Sequence, residues 1–486
     1  MFIGRQSELE DLAALWRRPG AHLVTCRGRR RIGKSTLFEE FAAKSQARLV
    51  KLEGLPPQPR MRNEDQIRAF VEQLALQTDA VDAVPDSWLK AFKMLADAVP
   101  AAGRTVVLLD EISWMGGYDD NFPGMLKIAW DNWFKRRPKL VLVLCGSVSA
   151  WISDNILNNT GFVGRRAADI LLEELPLPDC VRFWGRAASR LSVHDLLDVL
   201  SVTGGVPRYL EAIDPALSAD ENVRRLCFLP KGPLVGEFEE LFGSAFGERA
   251  EFKKSVLRAL ATGAKSGKEI AAALGAGNNG HLADRLEELR VAGFLSEDAG
   301  NNPETGRPAR LVRWRIRDNY TRFYLRCVEP HLEAIRKGLF AFTSLPLLPG
   351  WEAILGLQFE SLVLANLPAL LPRLGLGRQL ILSAAPWRKP PARDGTGGCQ
   401  VDLLLQTARA SVLVEIKRQR EIGADVVKEM EAKLESFPRI PGRSVRTALV
   451  YAGNLSPAVE ADGIFDFVID IRELLRDPVA PLPPLC

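Results

Sequence analysis

The stretch Gly28-Arg29-Arg30-Arg31-Ile32-Gly33-Lys34-Ser35 narrows the fold of this chain more than any other feature. It matches the pattern GxxxxGK[ST] in full. Upstream, His22 to Cys26 reads as a short buried strand; downstream, Thr36 to Phe41 has helical apolar spacing. A strand–loop–helix unit of this kind turns backbone N–H groups toward a phosphate chain. Gly28 and Gly33 permit the curl of the loop. Lys34 is then placed to reach terminal phosphates and Ser35 to put a hydroxyl on a magnesium ion, while the helix beginning near Thr36 adds a favourable dipole.

A second segment completes the chemistry. Arg104-Thr105 leads into Val106-Val107-Leu108-Leu109, an unbroken apolar run suited to a central parallel strand, which ends in Asp110-Glu111. Asp110 at that carboxyl end is expected to hold the magnesium, and Glu111 to polarise an attacking water. Arg48 to Leu52 predicts another strand, and residues 64–78 and 87–99 predict helices. Leu140 to Cys145 is one more buried strand; Ser147 just past it is either a γ-phosphate sensor or a turn serine. The whole predicts an α/β fold with a doubly wound parallel sheet and its site at the carboxyl ends of the strands.

With these residues in hand the first third resembles the AAA-type ATPases of the archaeal ATPase group, similar to origin-recognition and signal-transduction ATPases. Phe2-Ile3-Gly4-Arg5-Gln6-Ser7-Glu8-Leu9 looks like their "FxGRxxEL" opening, which implies that Gly4 and Arg5 lie close to the adenine of ATP. Thr203-Gly204-Gly205-Val206-Pro207-Arg208-Tyr209-Leu210 resembles the "GGxPxYL" element of their helical lid, which implies that Pro207 approaches the base. Gly164-Arg165-Arg166 matches the family's Gly-Arg after the sensor strand. An arginine there, Arg165 foremost, meets a γ-phosphate in cis or from a neighbouring subunit, or is a surface residue. ATP-binding residues are thus expected at Gly4, Arg5, Gly28 through Thr36 and Pro207, with residues 178–215 forming the lid and 1–215 the ATPase core.

The middle, 216–330, predicts a winged helix. Phe252 to Leu260 is one helix and Ser266 to Gly275 a capped second. Asn278 or Asn279 caps a third that runs through Leu282, Leu286 and Leu289 to Phe294. Gly293-Phe294-Leu295 and Leu311 to Ile316 flank a polar segment and read as a hairpin wing. Such a fold often serves DNA. Asn279, His281 and Arg285 would face the groove. The third helix also carries Asp284, Glu287 and Glu288, so a domain that only packs or transmits nucleotide state is the other reading.

The last third, 331–486, carries a different constellation. Helical spacing over Trp351–Leu364 places Glu360 in an apolar segment, where a carboxylate is costly unless exposed or paired. Val401 to Leu405 is an apolar strand bearing Asp402, and Ser411 to Lys417 a second strand bearing Glu415 and Lys417 on one face. Two carboxylates holding a metal against a scissile phosphate, with a lysine that positions or deprotonates water, is the arrangement of metal-dependent phosphodiester cleavage. It resembles the PD-(D/E)xK nuclease superfamily, with Val401 in place of the proline, and the archaeal ATPase group is known for such a C-terminal domain. The resemblance implies metal ligands at Asp402, Glu415 and Glu360, a nuclease fold that cleaves or only binds, and magnesium or manganese there. Lys417 to Arg420 extends a basic edge suited to a phosphate backbone or to solvent.

Composition sets outer limits. At 486 residues, with 47% hydrophobic and 26% charged, the chain holds several cores, and disorder is excluded as its main state. The net charge of +4 arises from 64 basic and 60 acidic residues and decides nothing about partners by itself. Seven scattered cysteines and four dispersed histidines argue against a disulfide framework and a zinc site. An N-terminus charged almost at once and no clean apolar stretch predict a cytoplasmic, non-membrane protein. Two functions remain: an ATPase whose nucleotide state controls a DNA nuclease, and a nucleotide-dependent switch with an inactive C-terminal module. DNA is the expected partner, and a homo-oligomer stays open.

Overall fold

Consecutive residues of the apolar strands in the first third sort into two cores, which is what a parallel sheet covered on both faces requires. In the computed structural model, which describes residues 2–80, 83–100, 102–147, 149–246, 250–275, 280–309, 312–390 and 398–476, these strands are β1 (His22–Arg27), β2 (Arg48–Glu53), β3 (Thr105–Asp110), β4 (Leu140–Gly146) and β5 (Arg166–Leu171). They form one sheet in the order β2-β3-β4-β1-β5, every pairing parallel. Leu23, Val107, Leu109 and Leu142 face a core rich in Phe70, Trp88, Phe92 and Phe122. Their neighbours Val24, Val106, Leu108 and Val143 face a second core around Phe38 and Phe41. The expected helices appear as Asn63–Gln77 and Trp88–Ala98. Strand β5 has no sequence forecast: Arg-Ala-Ala-Asp-Ile-Leu at a sheet edge carries no apolar run.

In register, Glu53 lies opposite Asp110, Leu109 opposite Leu144, and Arg27 opposite Gly146. The carboxyl ends of four strands therefore share one edge.

The chain divides into two compact units. The first is Met1–Leu175 with Glu239–Glu251 and Val291–Gly293; the second is Pro176–Phe238, Phe252–Arg290 and Phe294–Cys486. The expected span 1–215 is thus divided after Leu175. The reason is a set of bonds inside the second unit: Leu177 N donates to Asn366 Oδ1 at 3.0 Å, and Gln358 Nε2 to Ser201 O at 2.7 Å. The segment expected to be helical over 178–215 is broken into Leu177–Val181, Val193–Thr203 and Pro207–Leu210, with non-helical backbone at Gly185 (φ 52°).

Downstream, the helices Ala250–Leu260, Gly267–Ala273 and Gly280–Val291 precede β7 (Leu295–Asp298) and β8 (Arg313–Ile316), which with β6 (Lys265–Ser266) form an antiparallel sheet ordered β6-β8-β7. Ser266 caps the second helix reciprocally with Glu269. Asn278 and Asn279, expected as caps of the third helix, lie outside the described residues.

The C-terminal sheet is β13-β12-β11-β10-β9, built from β9 (Ser383–Lys389), β10 (Cys399–Gln406), β11 (Ala410–Ile422), β12 (Ser444–Leu455) and β13 (Phe467–Asp470). β9, β10 and β11 run antiparallel, and β11, β12 and β13 parallel. The helix Asp425–Ser436 makes the crossover from β11 to β12 and closes a core of Val401, Leu404, Leu413 and Met430. The helix Trp351–Ala365 packs against β11. Among the described residues no single helix is long and apolar enough to cross a membrane; the apolar pair Trp351–Ala365 and Leu367–Arg373 is bent by 77°.

Candidate functional sites

The phosphate loop leaves β1 and enters the helix Lys34–Lys44 through three residues of positive φ: Gly28 (153°), Arg31 (68°) and Gly33 (85°). A Cβ on Gly28 would lie 2.4 Å from the Leu172 carbonyl oxygen, so side-chain bulk is excluded there. Lys34 Nζ donates to the carbonyls of Gly28 and Arg29, each at 3.0 Å, which folds the buried ammonium over the loop. Each arginine around the loop meets a carboxylate: Arg27 meets Asp169 (3.1 Å), Arg29 Glu174 (3.7 Å), Arg30 Glu111 (3.9 Å) and Arg31 Glu240 (3.3 Å). Lys34, bonded to neutral carbonyls, keeps its charge for an incoming anion. Ile32 is buried under the loop, and Thr36 is exposed on the helix.

Ser35 Oγ donates to Asp110 Oδ2, joining the loop to the end of β3. A hydroxyl beside a carboxylate is a donor set that fits magnesium next to phosphate oxygens. Glu111 follows in the left-handed region (φ 48°, ψ 47°), a conformation costing about 1 kcal/mol in a residue with a Cβ. Its carboxylate accepts from Ser147 N at 3.1 Å and Ser147 Oγ at 2.8 Å. The three sequence-expected groups at the ends of β3 and β4 are therefore in one hydrogen-bonded line with the loop. Arg30 stacks over Trp114 at 5.0 Å and approaches Glu111 from the other side.

Gly4 and Arg5 both have positive φ (74° and 62°), and the buried Arg5 guanidinium donates to the carbonyls of Ile32 (3.3 Å) and Glu173. The opening segment is thereby tied to the loop itself. Glu53, which sequence reasoning missed, sits opposite Asp110; burial, then the charges of Asp110 and Glu111, raise its pKa. Its only signal was its place at the end of a strand. Arg165 forks onto Asp131 at 2.9 and 3.0 Å and holds that carboxyl down at about 2. Arg166 reaches the Leu157 carbonyl at 3.3 Å. To meet a phosphate, Arg165 has to leave Asp131. Pro207 opens the helix Pro207–Leu210 in the second unit.

In the second unit, Asp402 stands on β10 at a register shift between Val401 and Leu404, a bulge of the kind that re-aims side chains. Its Oδ2 accepts from Ile416 N at 2.9 Å on β11. Burial, followed by the charges of Glu415 and Glu360, pushes its carboxyl up to about 7. Burial also raises Glu360, with Arg315 and Arg322 opposing the shift. The costly carboxylate of the apolar helix is thus compensated by cations, as its setting demands.

Glu415 is buried, and each of its oxygens meets a lysine: Oε1 meets Lys417 Nζ at 3.0 Å and Oε2 meets Lys433 Nζ. Lys417 also pairs with Glu429 at 2.7 Å. Burial works against the Lys417 charge, but Glu415 and Glu429 outweigh it and raise its pKa. Lys417 is thereby held as a cation between Glu415 and Glu429 in the metal-free structure. Lys433, from the helix Asp425–Ser436, was not foreseen; nothing in sequence distance links it to Glu415. Among the described residues no group of three or more His, Cys, Asp or Glu side chains is arranged to hold a metal ion, so the expected ligand set of Asp402, Glu415 and Glu360 is not assembled as such. The lysines on Glu415 are the physical reason.

Two further sets of candidates have partners inside the protein. The basic edge Lys417 to Arg420 is largely spent inside the protein, since Arg418 pairs with Asp198 and with Glu352 (3.0 Å). On the helix Gly280–Val291, Arg285 pairs with Glu288, and the His281 ring packs edge-on against Phe252 at 5.9 Å. Asn279 lies outside the described residues.

No family model matches the chain. It is similar to an uncharacterised protein of Methanocaldococcus jannaschii, 22% identical over 364 residues that cover 74% of this chain and 76% of that protein. Similar solved structures include the Walker-type ATPase of Pyrococcus abyssi (18% identity, 67% of this chain and 96% of that one, TM-score 0.48). Two others are the Aeropyrum pernix ORC2 protein in ADPNP and ADP complexes (13% identity, 69% and 95%, TM-score 0.40) and the Thermotoga maritima RuvB Holliday junction branch migration motor (15% identity, 62% and 91%, TM-score 0.34). With every TM-score below 0.5, the reading of both sites rests on their geometry.

Proposed function

We propose that this protein binds and hydrolyses ATP with magnesium, and that its nucleotide state controls a DNA-cleaving C-terminal part. The observation that carries the first half is the line Ser35–Asp110–Glu111–Ser147 across the ends of β3 and β4 beside Lys34. Lys34 exchanges its carbonyl partners for phosphate oxygens. Ser35 and Asp110 hold the magnesium, which when bound neutralises charge on the phosphates. Glu111 orients water, and Ser147 holds Glu111 until a γ-phosphate arrives. The test is ATP turnover: Lys34→Ala should abolish nucleotide binding, and full hydrolysis by that variant would refute the site.

In the second half, residues 216–330 act as a winged helix, and residues 331–486, with the β9–β13 sheet and its two flanking helices, as a PD-(D/E)xK-type nuclease fold. Asp402 and Glu415, with Glu360 nearby, hold magnesium or manganese once Lys433 yields. Lys417, kept protonated by Glu415 and Glu429, offsets charge on the scissile phosphate. Incubating labelled DNA with magnesium or manganese, with and without ATP, tests this; wild type that leaves DNA intact in every condition refutes cleavage. One observation favours the second reading, a regulatory switch with an inactive binding module: both oxygens of Glu415 are occupied by lysines. Under that reading Lys433→Ala gains no metal-dependent activity.

A further inference from the structure

A cleft of about 1300 Å³ opens within the second unit. The helix Trp351–Ala365 lines it through Glu360 and Ser361, β9 and β10 form one side, and the connection from β7 to β8 forms the other. That connection, read from sequence as the tip of a wing, is pinned to the sheet. Asn301 N donates to Ser383 Oγ at 2.9 Å, its side chain donates to Leu382 O at 3.3 Å, and Gln406 Nε2 donates back to Asn301 O at 3.3 Å. It is a wall of the cleft and not a finger free to lie in a DNA groove.

The charges of the cleft are unequal. Arg313 is paired with Glu269 (3.1 Å) and Arg315 with Asp298 (2.8 Å). The buried Arg322 guanidinium is set against the field of Glu360. Five arginines against three carboxylates leave two cations over, Arg307 and Arg388. Both are exposed, and neither has a carboxylate partner among the described residues. Pockets for one small molecule run roughly 300–1,000 Å³, so this space exceeds what a single nucleotide needs. A duplex with a rise of 3.4 Å and a width of roughly 20 Å takes about 1,000 Å³ per base pair, so a duplex does not enter.

We infer that this cleft takes a single strand of nucleic acid, its backbone phosphates held by Arg307 and Arg388 and led past Glu360. The inference names the substrate form for the nuclease-like site and rests on that reading of it. The experiment uses the full-length protein in EDTA, so that nothing is cut. Fluorescence anisotropy follows a labelled 12-nucleotide strand, and the same sequence as a duplex, across a salt series. Wild type should bind the single strand more tightly. The double variant Arg307→Glu/Arg388→Glu should lose roughly 10- to 100-fold in that affinity, with the salt slope shallower by about 1.4. Both positions are exposed, so its thermal melt should match wild type, and Arg307→Gln/Arg388→Gln should show a smaller loss in the same direction. Binding is read in EDTA and without cleavage, so a protein that fails to cleave leaves this inference standing. Unchanged single-strand affinity in the double variant, or tighter binding of the duplex by wild type, overturns it even in a protein that cuts DNA.

Discussion

Replacing Asp402 by asparagine should make the metal-free protein more stable at pH 8, with a smaller gain at pH 5. The Asp402 carboxyl, ordinarily near 3.8, is pushed up to about 7 by burial and by the negative charges of Glu415 and Glu360. A shift of about 3 units at roughly 1.36 kcal/mol each bounds the effect at about 4 kcal/mol. Relaxation and the high effective dielectric of real sites reduce this to about 1–3 kcal/mol. A raised acid favours the folded state while protonated. That contribution is complete below pH 4 and is lost as the pH climbs through 7. The asparagine cannot ionise, and its carbonyl oxygen can still accept from Ile416 N, as Asp402 Oδ2 does. Urea midpoints read by tryptophan fluorescence, with Trp351 and Trp387 reporting on the second unit, should therefore fall from pH 5 to pH 8 in wild type and stay flatter in the variant. Adding magnesium or manganese at pH 8 should stabilise wild type and not Asp402→Asn, because only the carboxylate repays the cation. A variant less stable than wild type at pH 8, or a wild-type midpoint independent of pH, would refute the reasoning.

Three further outcomes follow from the geometry. Glu111→Gln should bind ATP normally yet lose about 10²- to 10³-fold in turnover, read as phosphate release under saturating nucleotide. Gly28→Ala should lose nucleotide binding and about 2–4 kcal/mol of stability in the first unit, because its φ of 153° and the Leu172 carbonyl at 2.4 Å leave no room for a Cβ; an unshifted melt would show that the loop relaxes freely. Arg418→Met should cost about 2–4 kcal/mol in the second unit by stranding Asp198, whose pKa burial already raises, while ATP affinity stays as in wild type.

The parts of the molecule that could be read in advance are those where one residue type has one physical use. Gly28, Gly33, Lys34 and Ser35 are forced by the curl of the loop, and the strands ending at Asp110 and Gly146 are apolar throughout because both faces are covered. The opposite holds for β5, with its Arg-Ala-Ala-Asp, and for β9, whose Ser383-Ala384-Ala385-Pro386 shows no alternation of apolar and polar residues. Edge strands are held by backbone pairing, which composition does not record. Partners distant in sequence were equally out of reach. Lys433 meets Glu415 because the crossover helix returns over β11, and Leu177 meets Asn366 across 189 residues. Such pairs decide which segments cohere, so the place of Pro176–Phe238 in the second unit had no local signal.

The basic edge from Lys417 to Arg420 shows how strand geometry reassigns charge. Lys417, Arg418 and Arg420 read as one patch only if their side chains share a surface, but successive residues of a strand point to opposite faces. Lys417 stays on the face of Glu415 and pairs with it and with Glu429, whereas Arg418 reaches Asp198 and Glu352. The phosphate loop repeats the lesson, since its crowd of arginines is met, one by one, by Asp169, Glu174, Glu111 and Glu240. In both places the arginines fix backbone and carboxylates, and at the phosphate loop Lys34 is bonded to neutral carbonyls instead. Attraction at longer range then has to come from charges that no carboxylate cancels. In the second unit those include Arg307 and Arg388, which sequence reading had passed over because one lies in a polar loop and the other at a strand end.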